Sequence, residues 1–139
     1  MKYLGLDLGS RTLGMALSDK TGLIASSYKT IRHNEEYDKL VGEVKNIVLL
    51  EKVDAIVLGL PKNMNNTLGE KALQSISFKE KLESVLSIPI FLQDERMTSI
   101  IANRVLIQND LSRKKRKEKV DSVAATIILQ SYLDQKKGE

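Results

Sequence analysis

The chain has 139 residues, 42% hydrophobic and 29% charged, with a formal net charge of +4; that is enough for one soluble domain, 1–139, with a sizeable core. It has no Cys, no Trp, one His and 4% aromatic residues, which excludes disulfides, thiolate zinc sites, cysteine nucleophiles and histidine metal clusters, and argues against aromatic base-stacking platforms. No apolar stretch approaches the roughly 20 residues that span a membrane, and Asp7 and Gly9 interrupt the N-terminal apolar run, so a cytoplasmic protein without a signal peptide is the simplest expectation.

In chain order, residues 2–8 alternate and are rich in Leu, which predicts a buried strand. The strand ends on Asp7, the first residue of DLGSRTLG (7–14). A carboxylate, a glycine turn and the cation Arg11 meet at this strand end, a combination that suits a metal ion and a phosphate. The same residues also fit a plain hairpin in which Asp7 caps the turn. Residues 13–18 and 23–28 predict two more strands, joined by the turn DKTG (19–22) into an antiparallel meander. His33 has the polar neighbours Arg32, Asn34 and Glu35, which place it in a surface loop.

Tyr37, Leu40, Val41, Val44, Ile47 and Val48 recur at helical spacing and predict a helix over 35–51. AIVLGL (55–60) reads as a buried strand. A helix over 70–85 follows, with Ala72, Leu73, Ile76, Leu82 and Leu86 on its apolar stripe, then a strand over 88–93. Thr98 can cap a helix running to Gln108. The charge run SRKKRKEK (112–119) precedes a last helix that reaches Asp134. Three consecutive strands, then alternating helices and strands, imply an α/β fold: a five-stranded mixed sheet, three strands antiparallel and two parallel, with helices packed on it.

Strand ends of such a sheet collect ligands. Asp7 lies at one, and Asp94 and Glu95 at another. Asp121 shares a helix face with Ala124, Ala125 and Ile128, and the two alanines allow close approach to the sheet. Carboxylates without His or Cys partners select a hard cation, Mg²⁺ or Mn²⁺, and one or two such ions activate water against a phosphodiester. Each acid also has a structural reading, Asp94 or Glu95 as a helix cap and Asp121 as an ion-pair partner of the basic run. Arg113, Lys114, Lys115 and Arg116 suit a nucleic-acid contact or, equally, a solvated mobile loop. Arg11 and Arg96 suit two-point contacts to phosphate.

Four segments carry a resemblance over essentially the whole chain: DLGSRTLG at Asp7, GLPKNMNNTLGEKA from Gly59, DERMTS from Asp94 and KVDSVAATIILQSYL from Lys119. Together they resemble the YqgF or RuvX-like family, described as Holliday junction resolvases and as nucleases maturing the precursor of the small-subunit (16S) ribosomal RNA. The resemblance implies a ribonuclease H-like fold and metal-dependent phosphodiester hydrolysis. By position it makes Asp7, Glu95 and Asp121 catalytic and metal-binding, with Asp94 as an alternative ligand. The substrate it implies is structured RNA or branched DNA, handled by a monomer or, for a symmetric junction, by a homodimer. Many relatives carry Asp-Gly where this chain has Asn65 and Asn66, and an acid where it has Ile101. A sugar-kinase-like ATPase shares the opening Asp-x-Gly but needs two such domains. A binding module without catalysis would have little use for the acids.

Overall fold

The computed structural model describes residues 1–61, 68–94 and 113–137, with the side chains of the last segment described over 122–136. Strands β1 (Tyr3–Leu8), β2 (Thr12–Ser18) and β3 (Ala25–Arg32) are followed by α1 (Tyr37–Glu51), β4 (Ala55–Leu60), α2 (Glu70–Val85), β5 (Ile90–Asp94) and α3 (Arg113–Lys137). The five strands form one sheet in the order β3-β2-β1-β4-β5. The β1–β2 and β2–β3 pairs are antiparallel, and β1–β4 and β4–β5 are parallel. Both β1 and β4 are buried along their whole length, the condition that an unbroken apolar run satisfies when both sheet faces are covered.

Side-chain phase divides the core in two. Leu4, Leu6, Ile56 and Leu58 face α1 and α2, where they meet Leu40, Val44, Ile47, Phe78 and Leu82. Tyr3, Ala16, Ala55 and Val57 face α3 and meet Ala125, Ile128, Leu129 and Leu133. Gly5 belongs to the second phase: a Cβ there would lie 2.7 Å from Leu129 Cβ and 3.1 Å from the Ala125 carbonyl oxygen. Helix α3 therefore rests on the β1 backbone itself. The Tyr3 and Tyr132 rings lie 5.8 Å apart and Lys136 donates to the Tyr3 hydroxyl, so α3 runs antiparallel to β1. Among the described residues no helix is long and apolar enough to cross a membrane.

Several boundaries differ from the sequence reading. The third strand begins at Ala25, not Leu23, and continues to Arg32. Asp19 Oδ1 accepts the Leu23 and Ile24 amides, at 2.9 and 3.1 Å, which keeps both residues in the turn, exposed despite being apolar. Helix α1 starts at Tyr37 because Glu35 takes a left-handed φ of 63°. On α2 the buried stripe is Ala72, Ser75, Phe78 and Leu82, while Leu73 is exposed. The last helix starts at Arg113, so residues 113–119 are helical and not a loop; Lys, Arg and Glu are good helix formers. The helix expected from Thr98 to Gln108 lies outside the described residues.

Candidate active site

Asp7 is held at the end of the central strand, only 9% exposed. It is two residues beyond Gly5 and so shares the sheet face that α3 covers. In β2 its partner is Gly14. On the other side the parallel register pairs Leu6 with Leu58, and the next position of β4 is Gly59, itself paired with Gln93 of β5. Asp7 thus projects between two positions that carry no side chain, with the buried Gln93 amide one strand further on.

The β1–β2 turn is closed by the Gly9 amide, which donates to the Thr12 carbonyl at 2.8 Å. A Cβ at Gly9 would come within 2.9 Å of Thr12 Oγ1 and 3.3 Å of the Thr12 carbonyl oxygen, so a larger residue would crowd the closed turn. Arg11, at the tip, is exposed. His33 is not the surface loop residue its neighbours suggest; it is buried against this turn. Its amide donates to the Arg11 carbonyl at 2.9 Å, and its Nε2 lies 3.0 Å from the Gly9 carbonyl. Polar neighbours in sequence gave no sign of this, because the contact closes only once Arg32 pairs with Thr12 across β2–β3.

Asp94 closes β5 as an exposed residue. It follows the phase of Ile90 and Leu92, which pack toward α1 and α2, whereas Phe91 stacks on Tyr132 of α3 at 5.4 Å. Asp94 therefore does not share the face of Asp7. Glu95 and Arg96 lie outside the described residues, as do the side chains of Arg113, Lys114, Lys115, Arg116 and Asp121. The backbone of position 121 lies one helical turn before Ala125, which packs on Gly5. Because α3 is antiparallel to β1, that turn extends toward the Asp7 end of the strand. Among the described residues no three acids or histidines converge as a metal site. The donor chemistry is nonetheless that of a hard cation: the acids supply only oxygen, the chain has no Cys, and both ring nitrogens of its one His are engaged.

A mixed sheet in this strand order, with a buried acid ending its central strand and helices on both faces, defines a ribonuclease H-like fold. Solved structures agree: Thermus thermophilus RuvC, determined with a Holliday junction substrate, superposes with a TM-score of 0.62 at 14% identity, over 99% of this chain and 96% of that one. A second T. thermophilus RuvC structure gives 0.59. The RuvX family model, described as "Holliday junction resolvase", matches residues 1–135, and the chain belongs to that family. Its membership makes it a nuclease, a hydrolase of the phosphodiester bond. A protein of Listeria monocytogenes serotype 4b (strain CLIP80459) named "Putative pre-16S rRNA nuclease" is 49% identical, covering 96% of this chain and 98% of the relative. One of the same name from Geobacillus sp. (strain WCH70) is 48% identical over 98% and 99%.

Proposed function

We propose that the chain hydrolyses phosphodiester bonds in structured RNA, at the 5′ end of the precursor of 16S ribosomal RNA, with Asp7, Glu95 and Asp121 as its catalytic carboxylates. The observation that carries the site is Asp7 itself, a buried acid ending the central strand between Gly14 and Gly59, on the face where α3 brings position 121. Glu95 is preferred over Asp94 because Asp94, in phase with Ile90 and Leu92, lies on the sheet face opposite Asp7. When bound by these carboxylates, Mg²⁺ or Mn²⁺ supplies an activated water and offsets charge on the scissile phosphate.

The chain's own residues position the substrate. Gly14 and Gly59, the register neighbours of Asp7, add no side chain of their own beside it. Arg11, exposed at the tip of the clasped turn, holds a non-bridging phosphate oxygen pair in two-point geometry, and Arg96, two residues after β5 in the sequence, is assigned the same role. Arg113, Lys114, Lys115 and Arg116 at the start of α3 neutralise flanking phosphates. Water attacks phosphorus in line and the P–O3′ bond breaks, leaving a 5′-phosphate and a 3′-hydroxyl.

Relatives at 48–49% identity carry the RNA reading, while the family description favours four-way DNA as a second substrate. The test offers a ribosomal RNA precursor end and a synthetic four-way junction side by side with Mg²⁺ or Mn²⁺, using Asp7→Asn as the control. Selective trimming of the RNA is expected. Paired symmetric nicks in the junction would transfer the proposal to a resolvase acting as a two-fold dimer, and metal-independent binding without cleavage would overturn it.

A further inference from the structure

His33 contacts the turn that carries the candidate site at two of its three connecting residues. Its backbone N–H donates to the Arg11 carbonyl at 2.9 Å, and its Nε2 lies 3.0 Å from the Gly9 carbonyl. The other ring nitrogen decides the tautomer. Nδ1 receives the Glu35 amide at 3.1 Å; it must therefore be the unprotonated nitrogen, which leaves the hydrogen on Nε2 to donate to Gly9. The ring is itself fixed from behind. It lies 5.6 Å from the Tyr37 ring, and Tyr37 lies 6.4 Å from Phe78, a fully buried residue of the core beneath α1 and α2. A rigid column of rings thus runs from that core to one carbonyl oxygen, two residues from Asp7.

The entry to α1 depends on the same side chain. Glu36, at the N-cap position, makes no side-chain capping bond, and Glu35 holds a φ of 63°, a conformation unfavourable for a non-glycine residue. The Glu35 amide bond to Nδ1 helps offset that cost, so His33 has two separable tasks, one on each ring nitrogen.

We infer that His33 is a positioning residue for the nuclease site: through Nε2–H and the Gly9 carbonyl it fixes the turn that sets the Asp7 carboxylate and presents Arg11. This rests on the reading of Asp7 and Arg11 given above. Small displacements of a reacting group lower rates steeply, about 10²-fold for 1 Å, and loss of a supporting hydrogen bond behind such a group typically costs roughly 10- to 100-fold.

The two tasks are separated by isosteres. In His33→Gln the amide nitrogen replaces Nε2 and keeps the donor to Gly9; in His33→Asn the amide oxygen replaces Nδ1 and keeps the acceptor for Glu35. Expected are a neutral Nε2–H tautomer in the ¹⁵N spectrum, where the single histidine allows no ambiguity, and cleavage slowed roughly 10- to 100-fold in His33→Ala and His33→Asn. His33→Gln should recover to within a few-fold of the parent. Hydrogen exchange at the Gly9 amide is the readout independent of activity, faster in the Ala and Asn variants and near the parent rate in Gln. The inference is overturned by an Nδ1–H tautomer, by rescue with Asn in place of Gln, or by rates that follow the melting temperature alone. If the parent protein cleaves neither substrate, the reading of the site as a nuclease centre fails, while Gly9 exchange still decides whether His33 holds the turn.

Discussion

At the scale of single residues, two aspartates illustrate opposite uses of a carboxylate. Asp7 is buried at the end of the central strand, where the proposed function gives its charge a chemical use. Asp7→Asn should lower cleavage by roughly 10³-fold or more, the rate equivalent of the several kcal/mol that charge stabilisation at such a centre supplies. Its melting temperature should stay within a few degrees of the parent in thermal unfolding, and an active Asp7→Asn protein would remove Asp7 from the site. Asp19 is fully on the surface and serves the turn. The Thr21 hydroxyl, the Ile24 amide and the Leu23 amide hold its carboxyl down to about 2, from a usual value of 3.8. A carboxyl with a depressed folded-state pKa stabilises the fold above its unfolded value, and that contribution fades as pH falls from about 4 to about 2. Asp19→Ala should therefore melt lower than the parent at pH 6, and the gap should close as pH falls through that window.

At the scale of elements, the seat of α3 depends on Gly5 and Gln130. With only 2.7 Å available to a Cβ at Gly5, Gly5→Ala should lift the helix and cost about 1–3 kcal/mol in urea unfolding. Gln130 ties the helix to the β2–β3 turn by accepting the Ala25 amide at 2.9 Å and donating to the Leu23 carbonyl at 3.0 Å. Gln130→Ala should cost about 1 kcal/mol in the same measurement, and a smaller effect would make the tie incidental. These partners lie more than a hundred residues apart in sequence, which is why the start of β3 was not legible there: Leu23 and Ile24 look like strand, yet their polar backbone groups are taken by Asp19 and Gln130. By contrast β1, β4 and α1 were legible, because continuous burial or 3.6-residue periodicity is written locally. On α2 the exposed Leu73 and buried Ser75 shifted the stripe, since packing against α1 sets its phase. Asp7 was legible as an acid ending an apolar strand. Its glycine flanks and the grip of His33 depend on cross-strand register, which a single sequence does not display.

At the scale of the whole molecule, the charge run gains meaning from its place at the start of α3. The first turn of that helix has no acid, although the N-terminal end of a helix dipole favours negative charge and disfavours cations by about 0.3–1 kcal/mol each. Arg113, Lys114, Lys115, Arg116 and Lys117 therefore sit where the helix is destabilised by them, as residues retained for binding often are. They lie on the helix whose next turns pack against β1. Replacing all five by Gln should leave the melting temperature unchanged or raise it, and should weaken binding to structured nucleic acid. The decisive quantity is the salt dependence. Each lost phosphate contact lowers the slope of log K against log salt by about 0.9 on duplex DNA and about 0.7 on single strands. A slope reduced by two or more, measured by titration at several salt concentrations, would assign the run to the substrate channel. An unchanged slope would mean that the cations face solvent and that the Arg11 turn meets the backbone without them.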